Sequence, residues 1–221
     1  MKNSSKVILA LDVENFLKAK YFIDKFYPRV KIFKIGLQLF TSCGSKVIRY
    51  INKKGAGAFL DLKFFDIPNT VSNAIAQGVR LKVKMLTLHI SGAEAMLKAA
   101  VETANEESRR LNIKKPLLLG VTILTSQKAK PQDVLAMAKT GLSCGLDGVV
   151  CSAQEASFLK RRIKKRFIIV TPGIRPKGIN SDDQRRTATA AQAFAAGADF
   201  IVVGRPLLKA ADPLRALKEL I

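Results

Sequence analysis

Three charged side chains interrupt an apolar stretch in the first third of the chain, where residues 59–68 read FLDLKFFDIP. Asp61 and Lys63 are two positions apart, and Asp66 follows shortly before Pro68. Because successive side chains of a β-strand point to opposite faces, Asp61 and Lys63 are predicted to share one face. Opposite charges on a buried face are costly unless they pair or take part in chemistry. The pattern therefore indicates either a structural ion pair at a strand end or a catalytic carboxylate–ammonium pair.

The composition favours one folded domain over residues 1–221, with 48% hydrophobic residues. Cys43, Cys144 and Cys151 show no CxxC spacing, and His89 is the one histidine, so no metal site is expected. The first residues carry no cleavage signature, and the longest apolar run is too short to span a membrane. We therefore expect a reduced, soluble, cytoplasmic protein.

The charge is strongly positive, with 38 Lys and Arg against 17 Asp and Glu, a net charge of +21. Such an excess can mark a surface for nucleic acid or for phosphorylated ligands. The cations are scattered over many connecting segments, and no aromatic platform for bases is interleaved with them. A generally basic surface is the favoured interpretation, and a nucleic-acid-binding barrel remains an alternative.

Short β-rich runs alternate with longer helical runs along the whole chain. The predicted strands are residues 7–13, 31–36, 58–64, 85–90, 117–124, 148–152, 167–171 and 200–203. The predicted helices are residues 14–26, 37–53, 71–81, 93–111, 131–144, 153–162, 183–196 and 206–221. Eight strand–helix units in this length predict an α/β fold, the (β/α)8 TIM barrel. A doubly wound open sheet is the alternative, but no GxGxxG motif follows the first strand.

Polar residues stand at the carboxyl ends of most predicted strands, which is where barrels of this kind place their chemistry. In chain order they are Asp12; Lys34; Asp61, Lys63 and Asp66; His89 and Ser91; Thr125 and Ser126; Arg175; and Arg205. Each residue has a structural explanation when it is considered alone. Together at one rim they predict an enzyme active site.

The last two strand ends predict a bound phosphate. Loops after strands 7 and 8 of these barrels often hold a phosphate through backbone amides and a helix N-terminus. Gly204 allows close backbone approach, and Arg205 offers two donors to a phosphate. Arg175 and Gln184 belong to or border the segment 173–183, which is long enough to cover the phosphate as a lid.

The run DLKFFDIPNT at residues 61–70 resembles the signature of the orotidine 5′-monophosphate decarboxylase family. Further segments match that family in order and spacing, with one departure at Ala93, where a second glycine is expected. They are LD at 11–12, FKIG at 33–36, LHISG at 88–92, VTILTS at 121–126, TPGIRPKG at 171–178, DQRR at 183–186 and VGRP at 203–206. The resemblance covers nearly the whole chain.

The resemblance implies a cofactor-free decarboxylation of orotidine monophosphate to uridine monophosphate, with Lys63 delivering a proton to C6. Asp61 is then expected near the departing carboxylate, and Lys34 and Asp66 complete an alternating charge network. By the same resemblance, further residues bind substrate. Asp12 and Lys34 contact the ribose, Thr125 or its neighbour Ser126 reads the pyrimidine, and Gln184 and Arg205 hold the phosphate, with Arg175, Pro172 and Gly204 beside it.

The resemblance also implies a homodimer with shared active sites. Asp66, Ile67 and Thr70 are expected to reach into the site of the partner subunit. For His89, packing at a strand end is as good an interpretation as a catalytic part.

Three alternatives stay open. The nearest is a Mg²⁺-dependent phosphosugar decarboxylase or aldolase of the same barrel group, which presents a carboxylate to the metal from strand 2. This chain has Lys34 there, an unsuitable metal ligand. The other two are the basic nucleic-acid-binding barrel and a catalytically inactive barrel.

Overall fold

Parallel strands close into a barrel in the computed structural model, which describes residues 3–124, 126–176 and 187–221. The strands in chain order are β1 Val7–Ala10, β2 Ile32–Ile35, β3 Gly57–Phe64, β4 Met85–His89, β5 Leu117–Val121, β6 Gly148–Val150, β7 Ile168–Thr171 and β8 Phe200–Val203. The α-helices are α1 Phe16–Phe26, α2 Leu37–Cys43, α3 Lys46–Lys53, α4 Pro68–Arg80, α5 Ala93–Arg110, α6 Pro131–Ser143, α7 Ala153–Arg162, α8 Ala190–Ala195, α9 Arg205–Leu208 and α10 Pro213–Leu220. The predicted (β/α)8 TIM barrel is confirmed.

The barrel closes between its first and last strands. In β1, Ile8 pairs with Ile32 of β2 on one side and with Val202 of β8 on the other, both in parallel register. The strands are nearly continuous apolar runs, as expected for a parallel sheet with both faces covered. No helix within the described ranges is long and apolar enough to cross a membrane.

Alternate residues of the strands divide the core in two. One set fills the barrel interior, and the larger set packs between the sheet and the helices. The interior set is Ile8, Ala10, Ile32, Phe59, Met85, Leu119, Val170 and Val202. We call this interior set the apolar plug. Because Phe59 belongs to it, Asp61 and Lys63, which follow on the same strand, lie above the plug at the mouth of the barrel.

Three of the predicted helices differ from those observed. The helix predicted over 37–53 is two helices, because Gly44 adopts a left-handed φ of 55° after α2. The last helix is interrupted before Asp212, whose side chain accepts hydrogen bonds from two backbone amides and begins α10. The helix predicted over 183–196 begins at Ala190 within the described residues, after a capping box at Thr189, and residues 183–186 lie outside those ranges.

The buried carboxylate of Glu107 accepts hydrogen bonds from two arginines and ties α4 to α5 through one of them, Arg80. Glu107 of α5 is 8% exposed and accepts hydrogen bonds from Arg80 Nε of α4 at 2.7 Å and from Arg110 Nε and Nη2 at 2.8 Å. The hydrogen bonds from Arg110 and Arg80 lower the pKa of Glu107 from 4.5 to about 2. The carboxylate form is thus favoured in the folded protein.

Glu107 should make stability depend on pH in acid. Its pKa is lowered by folding, so its contribution is complete above about 4.5 and is lost as the pH falls towards 2. Glu107→Gln is therefore expected to lower the free energy of unfolding at pH 7 and to weaken the loss between pH 4.5 and 2.5. Urea denaturation at several pH values measures both. Glu106→Gln, at the exposed neighbouring position, is the matched control, and equal behaviour of the two variants would refute the assignment.

Candidate active site

Four charged side chains alternate in sign across the ends of β1, β2 and β3. Lys34 Nζ lies 3.1 Å from Asp12 Oδ1 and 3.5 Å from Asp61 Oδ2, and Lys63 Nζ lies 2.9 Å from Asp61 Oδ1. The register explains the arrangement, because Lys34 pairs with Ala10 of β1 and with Phe59 of β3. The contact between Asp61 and Lys63 expected from their spacing is confirmed.

Burial decides which of these charges depend most on their partners. The side chains of Lys34 and Asp61 are 11% and 13% exposed, whereas that of Asp12 is 53% exposed. Burial alone would lower the pKa of Lys34, but attraction to Asp61 and Asp12 outweighs it and leaves that pKa raised. Burial would raise the pKa of Asp61, but Lys34, Lys63 and hydrogen bonds from Lys63 and Thr87 leave it lowered. Both groups are held in their charged forms.

The backbone of β3 is irregular where it carries Lys63. Leu60 pairs with Leu86 of β4, but the next pairing joins Phe64 to Leu88, so β3 advances four residues while β4 advances two. Lys63 has a φ of 53°, a left-handed conformation that costs about 1–3 kcal/mol for a non-glycine residue. Surrounding contacts must therefore hold this segment in place.

Thr87 of β4 supplies two of those contacts, and the sequence reasoning missed it. Its Oγ1 accepts a hydrogen bond from the Lys63 backbone N–H at 3.0 Å and donates one to Asp61 Oδ1 at 3.0 Å. Thr87 is completely buried. A threonine inside the apolar strand MLTLH was the available signal, because a buried hydroxyl needs a hydrogen-bond partner.

A cavity of about 240 Å³ opens beside the charged residues and joins them to the ends of β7 and β8. Gly204 at the end of β8 lies close to Asp12 and Ala10 of the β1 end. A Cβ at this position would stand 3.3 Å from Asp12 Oδ2 and 3.4 Å from Ala10 Cβ. Arg175 is 7% exposed, and its Nη1 donates to the Ile174 carbonyl oxygen at 2.9 Å. The predicted site residues that line the cavity are Asp12, Lys34, Asp61, Lys63, Pro172, Arg175, Gly204 and Arg205.

The segment after Lys63 leaves the cavity. Asp66, Ile67 and Thr70 are exposed and do not line it within this chain. The Asp66 carboxylate accepts a hydrogen bond from the backbone N–H of Ile67 at 2.7 Å. Phe65 and Ile67, two large apolar side chains, are 62% and 66% exposed. Asp66 is therefore separated from the charge network of its own subunit, and its expected place in the site of a partner subunit stays a prediction.

The remaining predicted residues fall in three places. Ser126 is exposed in the connection between β5 and α6, and Thr125 and Gln184 lie outside the described residues. His89 lies at the end of β4, with its ring 5.9 Å from that of Phe65 between centroids. Burial and the nearby Lys63 ammonium lower the pKa of His89, which favours its neutral form.

A closed barrel with buried, paired lysines and aspartates at the carboxyl ends of its strands defines a (β/α)8-barrel enzyme. Residues 5–220 match the sequence model of the Orotidine 5′-phosphate decarboxylase / HUMPS family. The chain belongs to this family.

Individual relatives agree with the family match. An orotidine 5′-phosphate decarboxylase of Vibrio cholerae serotype O1 is 45% identical over 99% of this chain and 97% of its own length. One from Vibrio campbellii is 43% identical over 97% and 95% of the two chains. Among solved structures, the orotidine 5′-phosphate decarboxylase of Lactobacillus acidophilus has a TM-score of 0.85 at 34% identity, covering 98% and 97% of the chains. An uncharacterized conserved protein from Geobacillus kaustophilus has a TM-score of 0.83 at 32% identity and covers 97% of each chain.

Replacing Thr87 should disturb the charge of Asp61. Thr87→Val keeps the shape of the side chain but removes the hydroxyl, so the pKa of Asp61 is expected to rise. Thr87→Ser keeps the hydroxyl and should retain most of the wild-type value. Titration of the labelled Asp61 carboxyl carbon by NMR measures the pKa in each protein. An unchanged pKa in Thr87→Val would rule out the hydroxyl as a partner that matters.

Proposed function

We propose that this protein catalyses the cofactor-free decarboxylation of orotidine 5′-monophosphate to uridine 5′-monophosphate and carbon dioxide, the last step of UMP synthesis. The observation that carries the proposal is the buried Lys34–Asp61–Lys63 network at the mouth of the barrel. It occurs in a chain that is 45% identical, over nearly its full length, to a protein named for this reaction.

Lys63 is the proposed proton donor. The bond between C6 and its carboxylate breaks, its electron pair stays on C6, and carbon dioxide leaves. The Lys63 ammonium then delivers a proton to C6 to form the new C–H bond, and the neutral amine regains a proton from water. Its side chain is 32% exposed and lines the cavity, so it lies within reach of both a ligand and solvent.

Asp61 has two proposed effects. Its charge is fixed by Lys34 and Lys63, so it holds the Lys63 ammonium in place before substrate arrives. It would also stand close to the substrate carboxylate, and the repulsion between them is relieved as carbon dioxide leaves. We give the fixed electrostatic arrangement the larger share, because its groups need no reorganisation during the reaction.

The other lining residues fit the remaining parts of a nucleotide. Asp12 is half exposed and held by Lys34, so its second oxygen can accept a hydrogen bond from a ribose hydroxyl. Gly204 and Arg205 would bind the phosphate at the start of α9, assisted by Arg175 and Gln184 and bordered by Pro172. The pyrimidine is assigned to Thr125 or Ser126.

A homodimer with shared sites is part of the proposal. The segment with Asp66, Ile67 and Thr70 lies outside the cavity of its own chain and exposes Phe65 and Ile67 to solvent. An exposed apolar pair beside a carboxylate is suited to a partner's site, where Asp66 would approach Lys63 of the other subunit. The cytoplasmic location remains a prediction.

The Mg²⁺-dependent phosphosugar enzymes of the same barrel group are disfavoured by Lys34. Its ammonium lies between Asp12 and Asp61, where a metal would need an additional oxygen ligand. A cation at this position opposes the binding of another cation.

Turnover of orotidine monophosphate in the presence of a chelator tests the proposal. The purified protein should convert orotidine monophosphate at the same rate with and without EDTA, and the loss of the orotate absorbance measures that rate. Lys63→Ala should slow turnover at least about 100-fold because the proton donor is lost, while UMP affinity changes much less. Lys98→Ala, an exposed lysine of α5, is the control. Absence of wild-type turnover, or its loss with EDTA, would refute the proposed reaction, and near-normal rates in Lys63→Ala would refute the donor.

Mixing two inactive variants tests the shared site. Lys63→Ala and Asp66→Ala subunits should each be nearly inactive as homodimers. In a heterodimer, one site would contain both substitutions and the other site neither. About half of the wild-type activity per dimer should therefore return. Differently tagged subunits, purified as heterodimers, provide the measurement. Inactive heterodimers would show that Lys63 and Asp66 act from the same chain, and an active Asp66→Ala homodimer would show that Asp66 has no such role.

A further inference from the structure

The barrel brings together lysines and arginines that are scattered along the sequence. All connections from a helix to the next strand lie at the amino-terminal end of the barrel, opposite the cavity. Among the described residues, these connections hold ten cations and two acids. The cations are Arg29, Lys31, Lys54, Lys82, Lys84, Lys114, Lys115, Lys164, Lys165 and Arg166, and the acids are Asp147 and Asp199. We call this surface the basic face.

The opposite end shows no such excess. The described strand-to-helix connections around the cavity hold three acids and three cations. They are Asp12, Glu14 and Asp66, and Lys128, Lys130 and Arg175. Within the described residues, the positive charge of the connections is therefore concentrated at the end of the barrel that does not carry the candidate active site.

Both acids of the basic face are already engaged. Asp147 accepts from Lys115 Nζ at 2.8 Å and from the backbone N–H of Leu118. Asp199 accepts from Lys160 Nζ at 3.1 Å and from the backbone N–H of Ile169. These contacts join neighbouring strands, so the two carboxylates stabilise the barrel and leave most of the surrounding lysines uncompensated.

Three lysines of the basic face, here called the central lysines, precede strands on either side of β3. Lys31, Lys84 and Lys114 precede β2, β4 and β5. The stem of Lys84 lies across Gly57 at the start of β3, where a Cβ would come within 2.6 Å of Lys84 Cδ. Burial and repulsion from Lys114 and Lys31 lower the pKa of Lys84, so the Lys84 ammonium lies among like charges. A multiply charged anion would relieve that repulsion.

We propose that the basic face binds the phosphate backbone of double-helical nucleic acid without reading its sequence. Lysine ammonium groups spread over a broad surface suit a regular array of phosphates. Among the described residues, the large apolar side chains that are exposed are Leu17, Tyr21, Leu37, Phe65 and Ile67, and none of these lies in the connections of the basic face. The aromatic residues of these connections are Tyr27, which is half-buried, and Phe167, which is buried, so the face favours phosphates over a lipid layer or unpaired bases.

Neutralising the central lysines tests the proposal. A triple variant with Lys31→Gln, Lys84→Gln and Lys114→Gln is compared with a control of equal charge, Lys98→Gln, Lys139→Gln and Lys218→Gln, on the exposed outer sides of α5, α6 and α10. Fluorescence anisotropy with a labelled 30-base-pair duplex, at several salt concentrations, measures Kd. Thermal melting confirms that both variants are folded.

The wild-type protein should bind the duplex at about 50 mM salt, with affinity falling steeply as salt rises. The basic-face variant should lose roughly tenfold in affinity, and its slope of log K against log salt should fall by about two to three, roughly one for each lost phosphate contact. The control should stay within about twofold of the wild type. Equal losses in both variants, no wild-type binding, or equally tight binding to anionic lipid vesicles would overturn the proposal.

Discussion

The buried carboxylate of Asp61 is the constraint on which the candidate active site depends. A charge in that position is stable only if cations and hydrogen-bond donors surround it, and Lys34, Lys63 and Thr87 meet this need. The same contacts fix the positions of both ammonium groups without any ligand. Stability of the buried charge and orientation of the proposed proton donor are therefore the same physical requirement.

The barrel satisfies this requirement through strand register rather than through local sequence. Parallel pairing sets Lys34 of β2 beside β3, and β4 contributes Thr87 from the other side. The irregular pairing around Lys63 turns its backbone away from a regular strand, and a hydrogen bond to Thr87 holds the turned segment. A backbone that is unfavourable by itself is thus kept in place by the neighbouring strand, as is common where function needs a particular orientation.

The two ends of the barrel have different electrostatic characters. At the carboxyl ends, the described connections hold three cations and three acids, and Lys34 and Lys63 form short, partly buried pairs with carboxylates. At the amino-terminal ends, cations exceed acids, and the two acids hold strands together. The apolar plug around Phe59, Met85 and Leu119 lies between the two ends of the barrel.

The sequence alone predicted the fold class, the strand order and the charged residues of the cavity, because apolar periodicity and strand-end polarity are local patterns that the barrel preserves. It could not determine the break at Gly44, where a left-handed residue ends a helix inside a continuous helical pattern. Nor could it give the bridging position of Thr87 or the gathering of scattered lysines on one face. Those features depend on which distant segments become neighbours, and only the closed tertiary structure decides that.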